Sequence, residues 1–451
     1  MPPELRHVHL NAAGIDVGAG SHYVALPPGR DPEGRDVRQF GAFTADLHAL
    51  AQWLHRCGIE TVAMESTGVY WIPLFELLAA RGLEVRLVDP RQLKNVPGRK
   101  SDVLDCQWIQ QLHTFGLLAA AFRPDDQICV LRSYLRQRAM LVTYAAHHIQ
   151  HVQKALEQMN VKLTPVLSDV TGVTGLRIIR AILAGERDSR ALARLRDRRC
   201  QQDEEASIAR ALEGSWRVEH LFALRQAVEC LDFYQQQIAA CDREIEAYLG
   251  HFDAKHEGPS LPARPRTTKP KRTALPFDVR NHLYRLTGVD LTRIDGIDAH
   301  TALKVLAETG LDMSRWPTEK HFASWLCLAP GTKVSGGKKL SGRTKPSASR
   351  AAAALRLAAR SLHHSKSALG AFFRRLKVRL GAPKAITATA HKLARLLYRM
   401  IKFGTEYVDQ GQEYYERRYR TRVLSSLTRR AHELGYTLIK TADLSPAPTK
   451  C

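Results

Sequence analysis

The alternation of short apolar runs with helical stretches over the first 115 residues constrains this chain more than any other feature. Residues 12–17 read as a buried strand. Residues 21–27 and 36–43 read as two further strands, with Pro27-Pro28-Gly29-Arg30 opening the turn between them. Thr44 is placed to cap a helix running to about Arg56. Ile59 to Met64 is a fourth strand, 69–81 an apolar helix ended by Gly82, and Glu84 to Val88 a fifth strand stopped by Asp89-Pro90. A helix follows from Ser101 to about Phe115. A β-meander that feeds into βαβ units predicts a mixed sheet, antiparallel at first and parallel later.

That is the strand order of a ribonuclease-H-like (RuvC-like) domain, an analogy of order alone. Within it lie Asp16 in Gly-Ile-Asp-Val-Gly, Glu65 in Ala-Met-Glu-Ser-Thr-Gly, and Asp102 and Asp105 in Lys-Ser-Asp-Val-Leu-Asp. Asp16 sits in a strand whose neighbours Ile15 and Val17 face the other side, a costly place for a charge unless it is paired or bound to metal. If the first and fourth strands are adjacent, Asp16 and Glu65 meet at one sheet edge, where α/β folds place ligands. Asp102 and Asp105, three apart on a helix, share a face and repel unless a cation lies between them. Four hard carboxylates suit Mg²⁺ and phosphoryl transfer. Singly, each has a plainer reading. Asp102 could serve the helix dipole, Glu65 could lead into a helix before Thr67, and Asp-x-Gly also occurs in actin-like ATPases. A second, similar domain with another phosphate loop, which such an ATPase would need, is not found.

The surrounding chain is strongly basic. In 451 residues, 67 Lys and Arg stand against 45 Asp and Glu, a net charge of +22, which points to polyanionic partners bound by counterion release. Lys100, just ahead of Asp102, belongs to this set of candidate nucleic-acid contacts. Hydrophobic residues make up 44%, enough for real cores, and no apolar run is long enough to span a membrane. The eight Cys include no Cys-x-x-Cys pair, which argues against a zinc site and suits reduced thiols in the cytoplasm. The opening Met-Pro-Pro-Glu-Leu-Arg is not a signal peptide, so a cytoplasmic, nucleoid-associated protein is expected.

Downstream, 125–160 and 203–250 read as two long helical stretches, expected to form a coiled-coil-like stalk or a dimer surface. A basic Pro-rich linker spans 261–284, and helices are expected at 346–362, 366–380 and 384–409. A weak repeat around Gly172 and Gly296 resembles a helix-hairpin-helix, whose backbone N–H groups bind phosphate; an ordinary turn between helices explains the first copy equally well and the second less well. Last comes a glycine-rich loop crowded with cations, carrying Ser335, Gly336, Gly337, Lys338, Lys339, Ser341, Arg343 and Lys345. Its glycines admit a bulky substrate and its cations steer a phosphodiester. A serine there could attack phosphorus, or could serve only as a hydrogen-bond donor. Ser341, Ser347 and Ser349 compete with Ser335 for the nucleophile's role.

Asp16, Glu65, Asp102 and Asp105, followed by Leu328-Ala-Pro-Gly and Ser335-Gly-Gly-Lys, resemble the DEDD-type insertion-sequence transposases. These are the bridge-RNA-guided serine recombinases of the IS-one-ten class. Segments beginning at Val173, Leu183, Arg350 and Lys384 are similar to its IS-eleven-eleven branch. The resemblance implies an α/β RuvC-like catalytic domain, an all-α coiled-coil middle and a helical transposase domain, which the pattern above places at 1–124, 125–260 and, past the linker, 285–440; the polar, Pro-containing tail at 441–451 is expected to be disordered. It implies that the four carboxylates bind Mg²⁺ and that Ser335, favoured over Ser341, joins covalently to cleaved DNA. It further implies that a structured bridge RNA pairs with donor and target DNA, and that homodimers assemble into a tetramer. The chain departs from much of the wider family at Pro346-Ser-Ala-Ser-Arg350, where Gly-Asn is usual. The alternative is an Mg²⁺-dependent Holliday-junction-resolving nuclease in which water attacks. A non-catalytic nucleic-acid-binding protein would leave Asp16 a cost without a benefit.

Overall fold

The computed structural model describes residues 6–93, 101–197, 203–262 and 273–439. The chain divides into two compact units, Met1–Arg123 and Pro124–Cys451.

The first unit is a five-stranded sheet in the order β3-β2-β1-β4-β5. Its strands are β1 (Ala12–Val17), β2 (Ser21–Ala25), β3 (Val37–Gly41), β4 (Thr61–Glu65) and β5 (Glu84–Val88). Strands β1, β2 and β3 pair antiparallel, whereas β4 runs parallel to both β1 and β5. The mixed sheet expected from the sequence is therefore present. Helices α1 (Thr44–Arg56) and α2 (Trp71–Ala80) cover one face, packing Leu50, Trp53, Leu54, Leu74 and Leu78 against Ile15, Val62 and Met64. A single turn, α3 (Pro90–Leu93), starts at the proline read as a strand stop, a residue well suited to a helix's first turn. Helix α4 (Asp102–Thr114) covers the other face, where Ile109 meets Ala63 and Val88. One detail differs from expectation. Thr44 does not cap α1: it is the first helical residue, and the Asp46 carboxylate reaches back to accept from the Phe43 N–H at 3.3 Å.

The second unit is built on two 33-residue helices, α5 (Asp126–Gln158) and α9 (Val218–Gly250). They run antiparallel, since Tyr134 packs on Tyr248 and Tyr144 on Tyr234. Between these contacts Arg138 and Asp242 form a buried ion pair. The stretch read as one helix over 203–250 is broken. Helix α8 (Asp203–Ala211) stops, Gly214 lies where a Cβ would stand 2.6 Å from the Met159 carbonyl, and the Ser215 N–H donates to that carbonyl. Helices α6 (Val173–Ala184) and α7 (Ser189–Ala193) complete a core there with Val152, Met159, Ile178, Ile182 and Leu192.

Beyond, α10 (Val279–Thr287), α11 (Ala299–Thr309) and α12 (Glu319–Trp325) lead to a two-stranded hairpin, β6 (Lys333–Ser335) and β7 (Lys338–Ser341). Then come α13 (Arg350–Ser361), α14 (Ala368–Leu380), α15 (Ala382–Phe403) and α16 (Gly411–Glu433). Trp316, Phe322 and Tyr398 centre this last core, with the Tyr398 hydroxyl donating to the Trp316 carbonyl at 2.6 Å. Helix α16 lies beyond the three helices expected from sequence. The tail at 441–451 and residues 263–272 of the basic linker lie outside the described residues, and the linker expected over 261–284 ends earlier than that, because α10 opens at Val279.

Candidate active site and nucleic-acid interface

Strand alternation sorts the side chains of β1. Ala13, Ile15 and Val17 join the core under α1 and α2, which turns Gly14 and Asp16 toward α4. On β4, Val62 and Met64 face α1 and α2, while Ala63 and Glu65 face α4. The parallel register pairs Gly14 with Ala63 and Ile15 with Met64, so its next step sets Asp16 beside Glu65. Both carboxylates thus stand at the C-terminal edge of adjacent parallel strands, on one face. Glu65 ends β4, and the Thr67 hydroxyl donates to its Oε1.

Helix α4 runs antiparallel to β1. The Val8 N–H donates to the Thr114 carbonyl, the Gln110 amide reaches the Ala12 carbonyl at 3.4 Å, and Gly14 lies against Cys106 and Gln110. A Cβ at Gly14 would stand 2.2 Å from the Gln110 nitrogen, so only glycine lets the helix lie this close. The approach carries the first turn of α4, with Asp102 and Asp105, toward the edge that holds Asp16 and Glu65. Ser101 caps that turn, accepting from the Leu104 N–H at 3.3 Å. Fully buried Cys106 registers the result. Burial first, and then the carboxylates of Asp16 and Asp105, push its thiol up to about 12. Neither Gly14 nor Cys106 was singled out from sequence, although each lies within two residues of a candidate carboxylate.

The donor set has the hard-oxygen chemistry of a magnesium site. Its members share a face and an edge, but they are not closed round a common point. Among the described residues, no three His, Cys, Asp or Glu side chains are grouped to hold one ion. Lys100 lies outside the described residues.

The segment read as a glycine-rich loop is a β-hairpin. Gly336 and Gly337 have φ of +54° and +73°, which is the two-residue turn whose twist matches paired strands. Ser335 pairs with Lys338 across it, and the Gly331 N–H donates to the Arg343 carbonyl to close its base. Val334 and Leu340 are 59% and 68% exposed, so no core lies beneath. Lys338, Lys339, Arg343 and Lys345 are exposed, with no carboxylate partner among the described residues. The serines differ in their engagements. Ser341, Ser347 and Ser349 accept from the N–H groups of Arg343, Ser349 and Ala352, respectively. The Ser335 hydroxyl has no hydrogen-bond partner among the described residues. Gly296, by contrast, is packed inward: a Cβ there would stand 2.8 Å from the Ala358 carbonyl. Its φ of +85° and this contact with α13 account for the glycine without a phosphate.

Two family models match the chain. One, described as a transposase of the DEDD, IS110 type, matches residues 13–161, and the other, described as the transposase IS116/IS110/IS902 family, matches 290–374. The chain carries the paired domains of an IS110-family transposase. Comparison with curated proteins returned no match. The first match begins one residue before Gly14 and contains all four carboxylates; the second contains the whole hairpin and α13. An insertion-sequence transposase acts on DNA, and the exposed cations fit that partner. Among the described residues no helix is long and apolar enough to cross a membrane.

Proposed function

We propose that this transposase cuts and rejoins DNA through a covalent phosphoserine at Ser335, with Mg²⁺ held by Asp16, Glu65, Asp102 and Asp105. The reading is carried by one observation: two acidic strand ends and an acidic first helical turn share one face of the sheet. When bound there, the metal would offset charge on the phosphate oxygens. The protein's own groups do the rest. Lys338, Lys339, Arg343 and Lys345 draw a phosphodiester to the hairpin, and the Ser335 oxygen attacks phosphorus while its proton passes to water. The bond to one deoxyribose oxygen breaks, and that oxygen takes up a proton. Attack by another strand's hydroxyl reverses the sequence, restores the diester and frees the serine.

A structured RNA from the element's non-coding end chooses the sites by base pairing, and dimers assemble into a tetramer around the paired strands. The resemblance to RNA-guided relatives and the basic surface support this part of the reading. Size and nucleic-acid content of the purified complex test it; an active chain free of RNA would reject the guide.

Ser335→Ala should abolish strand exchange and the DNA–protein adduct trapped by denaturation, while Ser341→Ala keeps both. Strand exchange retained in Ser335→Ala would reject the assigned nucleophile. Magnesium-dependent cleavage with no adduct would make the chain a junction-resolving nuclease that uses water.

A further inference from the structure

Helix α16 meets α14 through the half-buried Tyr415 and Tyr419, with Lys392 of α15 beside Tyr415 and with Arg418 and Arg422 exposed alongside. Tyr415, Arg418, Tyr419 and Arg422 fall at the i, i+3, i+4, i+7 spacing where a docking helix ordinarily carries leucines. No residue of α16 is fully buried. These side chains, with Tyr414 and Lys392, line a cavity of about 290 Å³. The Arg375 guanidinium lies 3.4 Å from the centroid of the Tyr419 ring, and the Lys392 ammonium lies 4.5 Å from that of Phe372 and 6.0 Å from that of Tyr415. Arg375, Lys392, Arg418 and Arg422 have no carboxylate at ion-pair distance among the described residues. The nearby Asp409 carboxylate accepts from the Ala368 N–H at 3.0 Å and the Tyr407 hydroxyl at 3.3 Å.

Aromatic faces interleaved with unneutralised cations are what an unstacked base and its phosphate require. The volume falls at the lower limit for small-ligand sites, which suits one nucleotide. A duplex keeps its bases stacked and cannot offer one. We propose that this cleft seats a single unstacked nucleotide of a single-stranded nucleic acid, its base against Tyr414 and Tyr415 and its phosphate on Lys392, Arg418 and Arg422. The proposal rests on the nucleic-acid reading above and adds a strand-gripping site apart from the hairpin.

The test uses the full chain in EDTA, so that binding is read without cleavage. Short single-stranded RNA, the same sequence as DNA, and a duplex are compared by fluorescence anisotropy. A single 5-iodouracil in each strand is then photocrosslinked and mapped by mass spectrometry. Crosslinks in the 411–422 peptide are expected. Tyr414→Ala, on an exposed ring, should weaken single-strand binding about ten-fold and leave duplex binding within two-fold. Arg418→Ala with Arg422→Ala should flatten the salt dependence of single-strand binding. Either single strand behaving so supports the cleft, and the tighter one names its source. Crosslinks confined elsewhere, or equal losses on single strand and duplex, would overturn it. A wild-type chain that binds no nucleic acid in any arm would instead sink the transposase reading itself.

Discussion

At the scale of single residues, Gly14 governs the candidate metal site without touching a substrate. Its missing side chain lets α4 lie on β1, and that contact delivers Asp102 and Asp105 to the edge holding Asp16 and Glu65. Gly14→Ala should lower stability by about 1–3 kcal/mol, as expected of an overpacked core, and should abolish strand exchange even where the variant folds. Circular dichroism and a recombination assay check the two effects separately. His113, on the same helix, is buried and shares a hydrogen bond with the Thr61 hydroxyl at 2.9 Å. Burial first, and then the neighbouring His9, lower it from 6.5 to about 4. Because the folded state resists protonation, its contribution to stability is complete above about pH 6.5 and is lost as the pH falls toward 4. Urea midpoints across that window should fall with acid, and less steeply in His113→Phe.

At the scale of elements, the α5–α9 pair depends on a buried charge. Arg138 and Asp242 side chains are 4% and 7% exposed, and the guanidinium also donates to the Ala274 carbonyl. Arg138→Ala leaves a carboxylate stranded and should cost about 3–5 kcal/mol, whereas Arg138→Met with Asp242→Leu should restore most of the loss. Urea denaturation of the wild type and these two variants measures this. The same scale shows what could be read from sequence. Strands β1 and β5 were legible to the residue because their apolar periods are clean and Gly, Pro or Asp follows them, and helix α1 was legible apart from its cap. The hairpin was not: β6 and β7 bury nothing, so no alternation marks them, and only the Gly-Gly turn carried a signal. Helix α16 was missed for a related reason, because its inward positions Tyr415, Tyr419 and Val423 are only half-buried and Arg418 and Arg422 beside them stay exposed. The break before α9 escaped because Gly214 acts through a contact with Met159, far away in sequence. Asp16 and Glu65 were legible as strand-edge neighbours, but among the described residues the four acidic residues are not grouped round one ion. Their common face follows from strand parity, but their incomplete closure depends on side-chain placement that no pattern reports.

For the whole molecule, charge dominates. A net +22 carried on exposed cations means that association with DNA is driven by release of counterions. With roughly 6–10 phosphates contacted, affinity should fall by ~10³–10⁵ between about 50 and 200 mM salt, measurable by filter binding. A shallow dependence would mean that few of these cations meet phosphate.

Ser335 stands on a ribbon with no core beneath it, and its hydroxyl has no hydrogen-bond partner among the described residues. On the proposed chemistry, a serine mounted so would idle in the free protein. Whatever aims it would then have to arrive with the strand to be cut, which would act as a safety catch against stray cleavage.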